Sequence, residues 1–155
     1  MRWFTREHGQ SIAEFALIAP ILFILIFGII DTARAYNAWV NIQGAAREGA
    51  RYGVTGRETC DGASTRLDCI EHVTREHSAS LTNSSSNLDV SVRSWEYPDY
   101  DGTATEGSAG DQCDSLEVEV EYEFEPATPI MSALMGGVTM RARERMVNEP
   151  FGVCS

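Results

Sequence analysis

From Phe15 to Ile30 the chain sets sixteen consecutive residues without a formal charge, and Asp31 closes the run. With Ser11 to Ala13 on one side and Thr32 to Tyr36 on the other, the segment is long enough to cross a bilayer, which takes roughly 20 residues. Pro20 removes one hydrogen bond inside it and predicts a bend within the membrane. Helical spacing then continues, with Trp39, Ile42, Ala46 and Ala50 recurring at intervals of three and four. Good helix formers in Ala45-Ala46-Arg47-Glu48 support the continuation, and Gly53 and Gly56 make a natural stop. One helix from Gln10 to Tyr52, at 1.5 Å per residue, is roughly 65 Å long and exceeds twice the bilayer core. Its second half must therefore leave the lipid and pack against the C-terminal part of the chain.

The remaining pattern is shorter in period. Gly56 to Ser64 reads as a turn rich in Gly and Asp. Ser64 or Thr65 to Leu81 reads as a helix, with Leu67, Ile70, Thr74 and Leu81 on one side. Thr82 to Asn87 is a polar loop. Leu88, Val90 and Val92 alternate with Asp89, Ser91 and Arg93 in a first strand reaching towards Trp95. Pro98 to Asp114 carries no apolar pattern. Leu116, Val118, Val120, Tyr122 and Phe124 alternate with Glu117, Glu119, Glu121, Glu123 and Glu125, the clearest strand in the chain. In the last strand Arg141, Arg143 and Arg145 alternate with Met140, Ala142 and Glu144. Antiparallel pairing of the last two would set Glu123 against Arg141, Glu121 against Arg143 and Glu119 against Arg145, each opposite pair contributing a few tenths to about 1 kcal/mol. Between them Thr128 to Gly137 reads as a short helix with a Thr cap, Pro in the first turn and Gly at the end. Its Ile, Met and Leu side chains suit a core better than a docking patch. The predicted fold is α+β: a long N-terminal transmembrane helix, then a small head with one principal helix and a three-stranded antiparallel sheet. The expected division is 1–9 as a leader, 10–56 as the membrane-crossing and extended helix, and 57–155 as the head.

Charge sharpens this division. Residues 1–56 hold five Arg against four acids, whereas 57–155 hold seven Arg against nineteen, and there is no Lys. A head this acidic repels phosphate backbones and argues against nucleic acid as a partner. Arg2 and Arg6 precede the run and Asp31 closes it, a positive-inside bias with the N-terminus cytoplasmic. Trp3 and Phe4 at one end, and Tyr36 and Trp39 at the other, suit the two interfaces. The four cysteines, Cys60, Cys69, Cys113 and Cys154, all lie beyond the run, which points to an oxidising compartment and two disulfides. Three pairings are possible. The strand register favours Cys113 with Cys154, leaving Cys60 with Cys69.

A secretory signal is the competing reading, since Ala33-Arg34-Ala35 would allow cleavage before Tyr36. The length of the apolar core, the helical pattern running past that point, and Glu14 near the start of the run all oppose it. A carboxylate at the border of a hydrocarbon core is costly and by default functional.

Gly9 followed by four residues and Glu14-Phe15, ahead of an unbroken apolar helix, resembles the N-terminus of type IV pilin-like proteins. The nearest likeness is to the TadE-like pseudopilins of tight-adherence (Flp) pilus systems. It runs through Glu14-Phe15-Ala16-Leu17-Ile18-Ala19-Pro20, Phe27-Gly28-Ile29-Ile30-Asp31 and Asn41 to Tyr52, with a weaker likeness from Val118 to Phe124 and through Pro126-Ala127-Thr128-Pro129. The resemblance implies that a prepilin peptidase cuts between Gly9 and Gln10. Glu14 then becomes the fifth residue of the mature chain and meets the N-terminal ammonium of a neighbouring pilin-like subunit. Two charges that are costly in lipid become tolerable as a pair, which favours one docking register. Phe15 stands where Flp pilins commonly carry Tyr. A head of roughly 100 residues is too large for a major Flp pilin, which implies a minor component in the bacterial inner membrane or in a surface pilus.

Other candidate chemistry is sparse. His72 and Glu76 lie four apart on a predicted helix, but the His-Glu-x-x-His order and a third ligand are missing. Asp99-Tyr100-Asp101-Gly102 begins like a calcium loop, with Glu106, Asp111 and Asp114 beyond it, yet its Gly comes too early for an EF-hand. No catalytic set stands out and no cofactor or metal is implied. The leading expectation is a non-enzymatic, pilus-assembling subunit, and the alternative is an acidic binding module, anchored or secreted, that takes a ligand or calcium and joins no pilus.

Overall fold

A computed structural model of the protein describes residues 7–81, 87–150 and 154, with side chains from residue 10 onward except those at 130 and 134. Arg2, Trp3, Phe4 and Arg6, and the polar loop expected at 82–87 apart from Asn87, lie outside the described residues. The chain forms helix α1 (Glu7–Val54), helix α2 (Arg66–His77) with a 3-10 turn at Ala79–Leu81, and strands β1 (Leu88–Trp95), β2 (Thr105–Glu106) and β3 (Ser115–Phe124). A short helix α3 (Pro129–Met135) and strand β4 (Val138–Val147) complete it. Two compact units result: Met1–Ala35 with Glu125–Gly137, and Tyr36–Phe124 with Val138–Ser155.

In the larger unit the four strands run in the order β2-β1-β3-β4, all antiparallel. The expected sheet had three strands. The fourth, β2, is two residues long and comes from the 98–114 loop, where Arg93 pairs with Glu106 and Ser94 with Thr105. A strand that short cannot establish an alternation. The period-2 pattern places Leu88, Val90, Val92, Leu116, Val118, Val120 and Ala142 on one buried face. The second half of α1 covers that face with Ile42, Ala46, Ala50 and Val54, joined by Ile70 of α2.

The stripe that α1 buries begins at Ala38 rather than Trp39, which stays 45 % exposed. Small residues make close approach possible: Ala38, Ala45, Ala46 and Ala50 are buried. Gly49 and Gly53 leave no room for a methyl group. The helix ends at Val54, one residue past Gly53, where a side chain would strike Leu116. The chain turns at Gly56, whose φ of 69° suits glycine. Helix α2 starts at Thr65, whose hydroxyl accepts from Asp68 N–H at 3.1 Å.

The register of β3 with β4 differs by two residues from the expectation. Glu121 faces Arg141, Glu119 faces Arg143 and Glu117 faces Arg145. This register pairs all ten residues of each strand, from Ser115–Val147 to Phe124–Val138. The expected one would have left Val138 and Thr139 unpaired. A slip of two keeps every side chain on its face.

Candidate functional site

The first half of α1 is an apolar surface. Among the described residues one helix is long and apolar enough to cross a membrane, and it is this one. Its large side chains point outward, with Phe15 67 %, Leu17 76 % and Ile21 68 % exposed. The helix continues through Pro20. Gly9 and Gln10 lie within its first turns, and Glu14 sits one turn further on the exposed surface. Among the described residues the Glu14 carboxylate accepts one hydrogen bond, from the Gln10 side-chain amide at 3.1 Å.

At the other end of the apolar run Asp31 is in a very different setting. It is 3 % exposed. Its carboxylate accepts from the Ala127 N–H at 3.1 Å, the Thr128 N–H at 3.3 Å and the Thr128 hydroxyl at 2.5 Å, with Arg34 at 3.3 Å beside it. The expected Thr cap of α3 is thus replaced: Thr128 makes no side-chain bond to its own helix and spends its hydroxyl on Asp31. The chain between β3 and β4 is tied by this contact to the end of the apolar run, and Ile24, Phe27, Ala127, Pro129 and Met131 line an apolar cavity of about 350 Å³ beneath it. Of the Ile, Met and Leu side chains expected to suit a core, those of Ile130 and Leu134 lie outside the described residues, Met131 is half-buried and Met135 is 56 % exposed, with Pro129 and Ala133 also facing outward.

The outer face of the sheet carries the charges. Glu119 is only 8 % exposed. It lies between Arg93 of β1 and Arg143 of β4, the latter at 2.9 Å, while Arg93 also reaches Glu117 at 3.0 Å. Arg141 pairs with Glu121 at 2.9 Å, and Arg145 lies 3.8 Å over the Trp95 ring. Arg93 escaped the sequence reading because its partners belong to a neighbour in space. Arg66 gathers three separate segments, donating to Gly53 O, Gly110 O and Asn148 Oδ1. Burial holds its guanidinium below its ordinary pKa, against the opposing pull of Asp111 and Asp114. On the exposed side of α1, the Arg51 guanidinium keeps the Glu48 carboxyl below the usual carboxylate range.

Disulfides join Cys60 to Cys69 and Cys113 to Cys154. The acidic loop is internally committed: the Asp114 carboxylate accepts from the Tyr97 N–H at 2.9 Å and the Asp111 N–H at 2.7 Å, and Glu106 lies 3.7 Å from Arg93. Among the described residues no three His, Cys, Asp or Glu side chains are grouped to hold a metal ion, and His72 and Glu76 have no third partner there.

Set against known proteins, residues 9–51 match the family described as TadE-like protein. No curated protein and no solved structure matches the chain.

Proposed function

We propose that this chain, TadE-like over residues 9–51, is a minor pseudopilin that takes part in assembly of a tight-adherence pilus. Residues 1–9 are the leader, 10–56 the membrane-crossing and extended helix, and 57–155 an extracytoplasmic head. A prepilin peptidase cleaves between Gly9 and Gln10 from the cytoplasmic side of the inner membrane. The exposed apolar half of α1 then packs against other pilin-like subunits, with Glu14 pairing to the freed ammonium of a neighbour.

The observation that carries the reading is Glu14 itself, a carboxylate on an apolar helix surface with only the neutral Gln10 amide bonded to it among the described residues. A charged carboxylate at the centre of a bilayer costs about 3 kcal/mol on insertion scales, and less towards the edge. A cation from a neighbour offsets that cost only in the register that aligns the two. The disulfides support the head's extracytoplasmic side, where thiols oxidise.

N-terminal sequencing of the membrane-purified protein tests the reading. A start at Gln10 is expected, and a start at Tyr36 removes the anchor and the assembly role together. Glu14→Ala should insert normally yet fail to enter the pilus fraction of sheared cells. Undiminished incorporation of that variant would refute the proposed pairing.

A further inference from the structure

The run Phe15–Ile30 has sixteen residues. As a helix it rises roughly 24 Å, short of a hydrocarbon core of roughly 30 Å. A chain that crosses the membrane here needs the whole run to do so, including Ile24 and Phe27. Whatever lies against those two side chains is therefore at membrane depth. Ala127, Thr128, Pro129 and Met131 face them across the apolar cavity that all six residues line.

We propose that the excursion between β3 and β4, residues 126–137, is a second membrane contact, with α3 seated in the interface of the leaflet from which α1 emerges and its outward side chains meeting lipid. The inference rests on the reading of α1 as a membrane span. Three further observations support it. Residues 126–140 carry no formal charge in fifteen positions, within a part of the chain that holds nineteen acids. The outward side chains described on α3, Pro129, Ser132, Ala133 and Met135, include none that is charged. Part of the polar backbone is also paired from within: Ala127 and Thr128 N–H groups donate to Asp31, Ser132 N–H to Thr128 O, and Gly136 N–H to Ser132 O. Backbone that enters lipid must be paired in this way. Depth agrees as well. Ile24 lies seven residues before Asp31, about 10 Å along the helix, and interfacial helices sink about 5–10 Å into the headgroup and acyl boundary. Asp31, otherwise a costly acid at the lipid border, is at the same time the tie that holds α3 there.

Bromolipid quenching of the full-length protein in phosphatidylcholine–phosphatidylglycerol vesicles, at a lipid ratio high enough to keep chains apart, tests this. Single tryptophans are added at Met135→Trp, at Ala133→Trp as a second reporter on α3, at Ile21→Trp in the span and at the exposed turn position Asp61→Trp. The emission of the parent's own tryptophans is subtracted. Lipid brominated near the glycerol end should reduce the emission added at 135 or 133 by about twofold, as expected for side chains at interfacial depth. Lipid brominated near the chain end should act most on position 21, and neither should affect position 61. If position 21 is quenched while 133 and 135 behave like 61, α3 does not touch lipid and the proposal falls alone. Blue-shifted but unquenched emission at 133 and 135 means that protein covers α3, which also overturns it. An unquenched position 21 removes the membrane span, and the proposal with it.

Discussion

Three glycines of α1 separate close packing from helix propensity with one chemical change. A methyl group added at Gly44 meets nothing within 4 Å. At Gly49 it would lie 2.0 Å from Thr74 Oγ1, and at Gly53 2.2 Å from Leu116 Cδ2 and 3.0 Å from Ile70 Cδ1. Thr74, Leu116 and Ile70 are fully buried. The Thr74 hydroxyl is also committed to Ile70 O at 2.7 Å, so turning it aside breaks a buried hydrogen bond. Each Gly→Ala change gains about 1 kcal/mol of helix propensity. Overpacking a filled core costs about 1–3 kcal/mol, and losing a buried hydroxyl's partner costs about 1–3 kcal/mol more. Gly44→Ala should therefore stabilise by about 0.5–1 kcal/mol, whereas Gly53→Ala should destabilise by up to about 2 kcal/mol net and Gly49→Ala, which also disturbs the Thr74 hydroxyl, by about 1–5 kcal/mol. Thermal unfolding of the full chain in detergent, followed by near-ultraviolet circular dichroism, reads the sign directly, at about 4–8 °C per kcal/mol for a head of this size. If all three variants shift upward together, α1 does not lie closely on the sheet.

The ion pairs should differ sharply in weight. Arg93→Ala leaves Glu117 and the buried Glu119 short of a cation and should cost about 3 kcal/mol by denaturant titration, while Arg141→Ala at the exposed Glu121 pair should cost under about 1 kcal/mol. Replacing Cys113 and Cys154 by Ser opens a loop of sequence separation 41 and Cys60 and Cys69 one of 9; on the chain-entropy account the losses are about 4 and about 2.7 kcal/mol, measured as the difference in unfolding midpoint between the two double variants. Asp31→Ala removes the acceptor of the Ala127 and Thr128 amides; their hydrogen exchange should accelerate markedly while that of Val118 in β3 stays unchanged, and equal protection in both proteins would argue against the tie.

The sequence exposes most of this architecture because burial imposes periods that survive in the residue order. The Glu/apolar alternation of β3 and the Arg/apolar alternation of β4 are legible for that reason. Their register is not, since a shift of two residues preserves both faces and only pairing along the whole strand selects between alternatives. The start of the buried stripe at Ala38 instead of Trp39 is a further miss, because a large aromatic outweighs a small residue in any reading of hydrophobicity. Close packing favours the opposite choice: the helix approaches the sheet through Ala and Gly. Long-range partners are the least legible. Nothing near Asp31 in the sequence announces Thr128, ninety-seven positions away, and nothing near Arg93 announces Glu119. Both contacts depend on how elements meet after each has formed.

The two carboxylates that bracket the apolar run show how its ends differ in role. Each lies where a charge is costly, yet Asp31 receives two backbone amides, a hydroxyl and a guanidinium from its own chain. Glu14 receives only a neutral side-chain amide among the described residues. A chain under selection for stability alone has simple ways to remove Glu14, since Gln or Ala would enter lipid at lower cost. Asp31 is different, because its removal leaves three donors at the membrane border without an acceptor. The Asp31 end of the run is thus completed intramolecularly, and on the proposed pairing the Glu14 carboxylate becomes favourable when a cation arrives from a neighbour. On the proposed function that asymmetry would give assembly a direction, with the Asp31 tie forming in an isolated chain and the Glu14 end completed by a neighbour. Glu14→Gln should accordingly raise the stability of the isolated chain or leave it unchanged while reducing association between chains, whereas Asp31→Asn should lower stability with association affected only as a consequence.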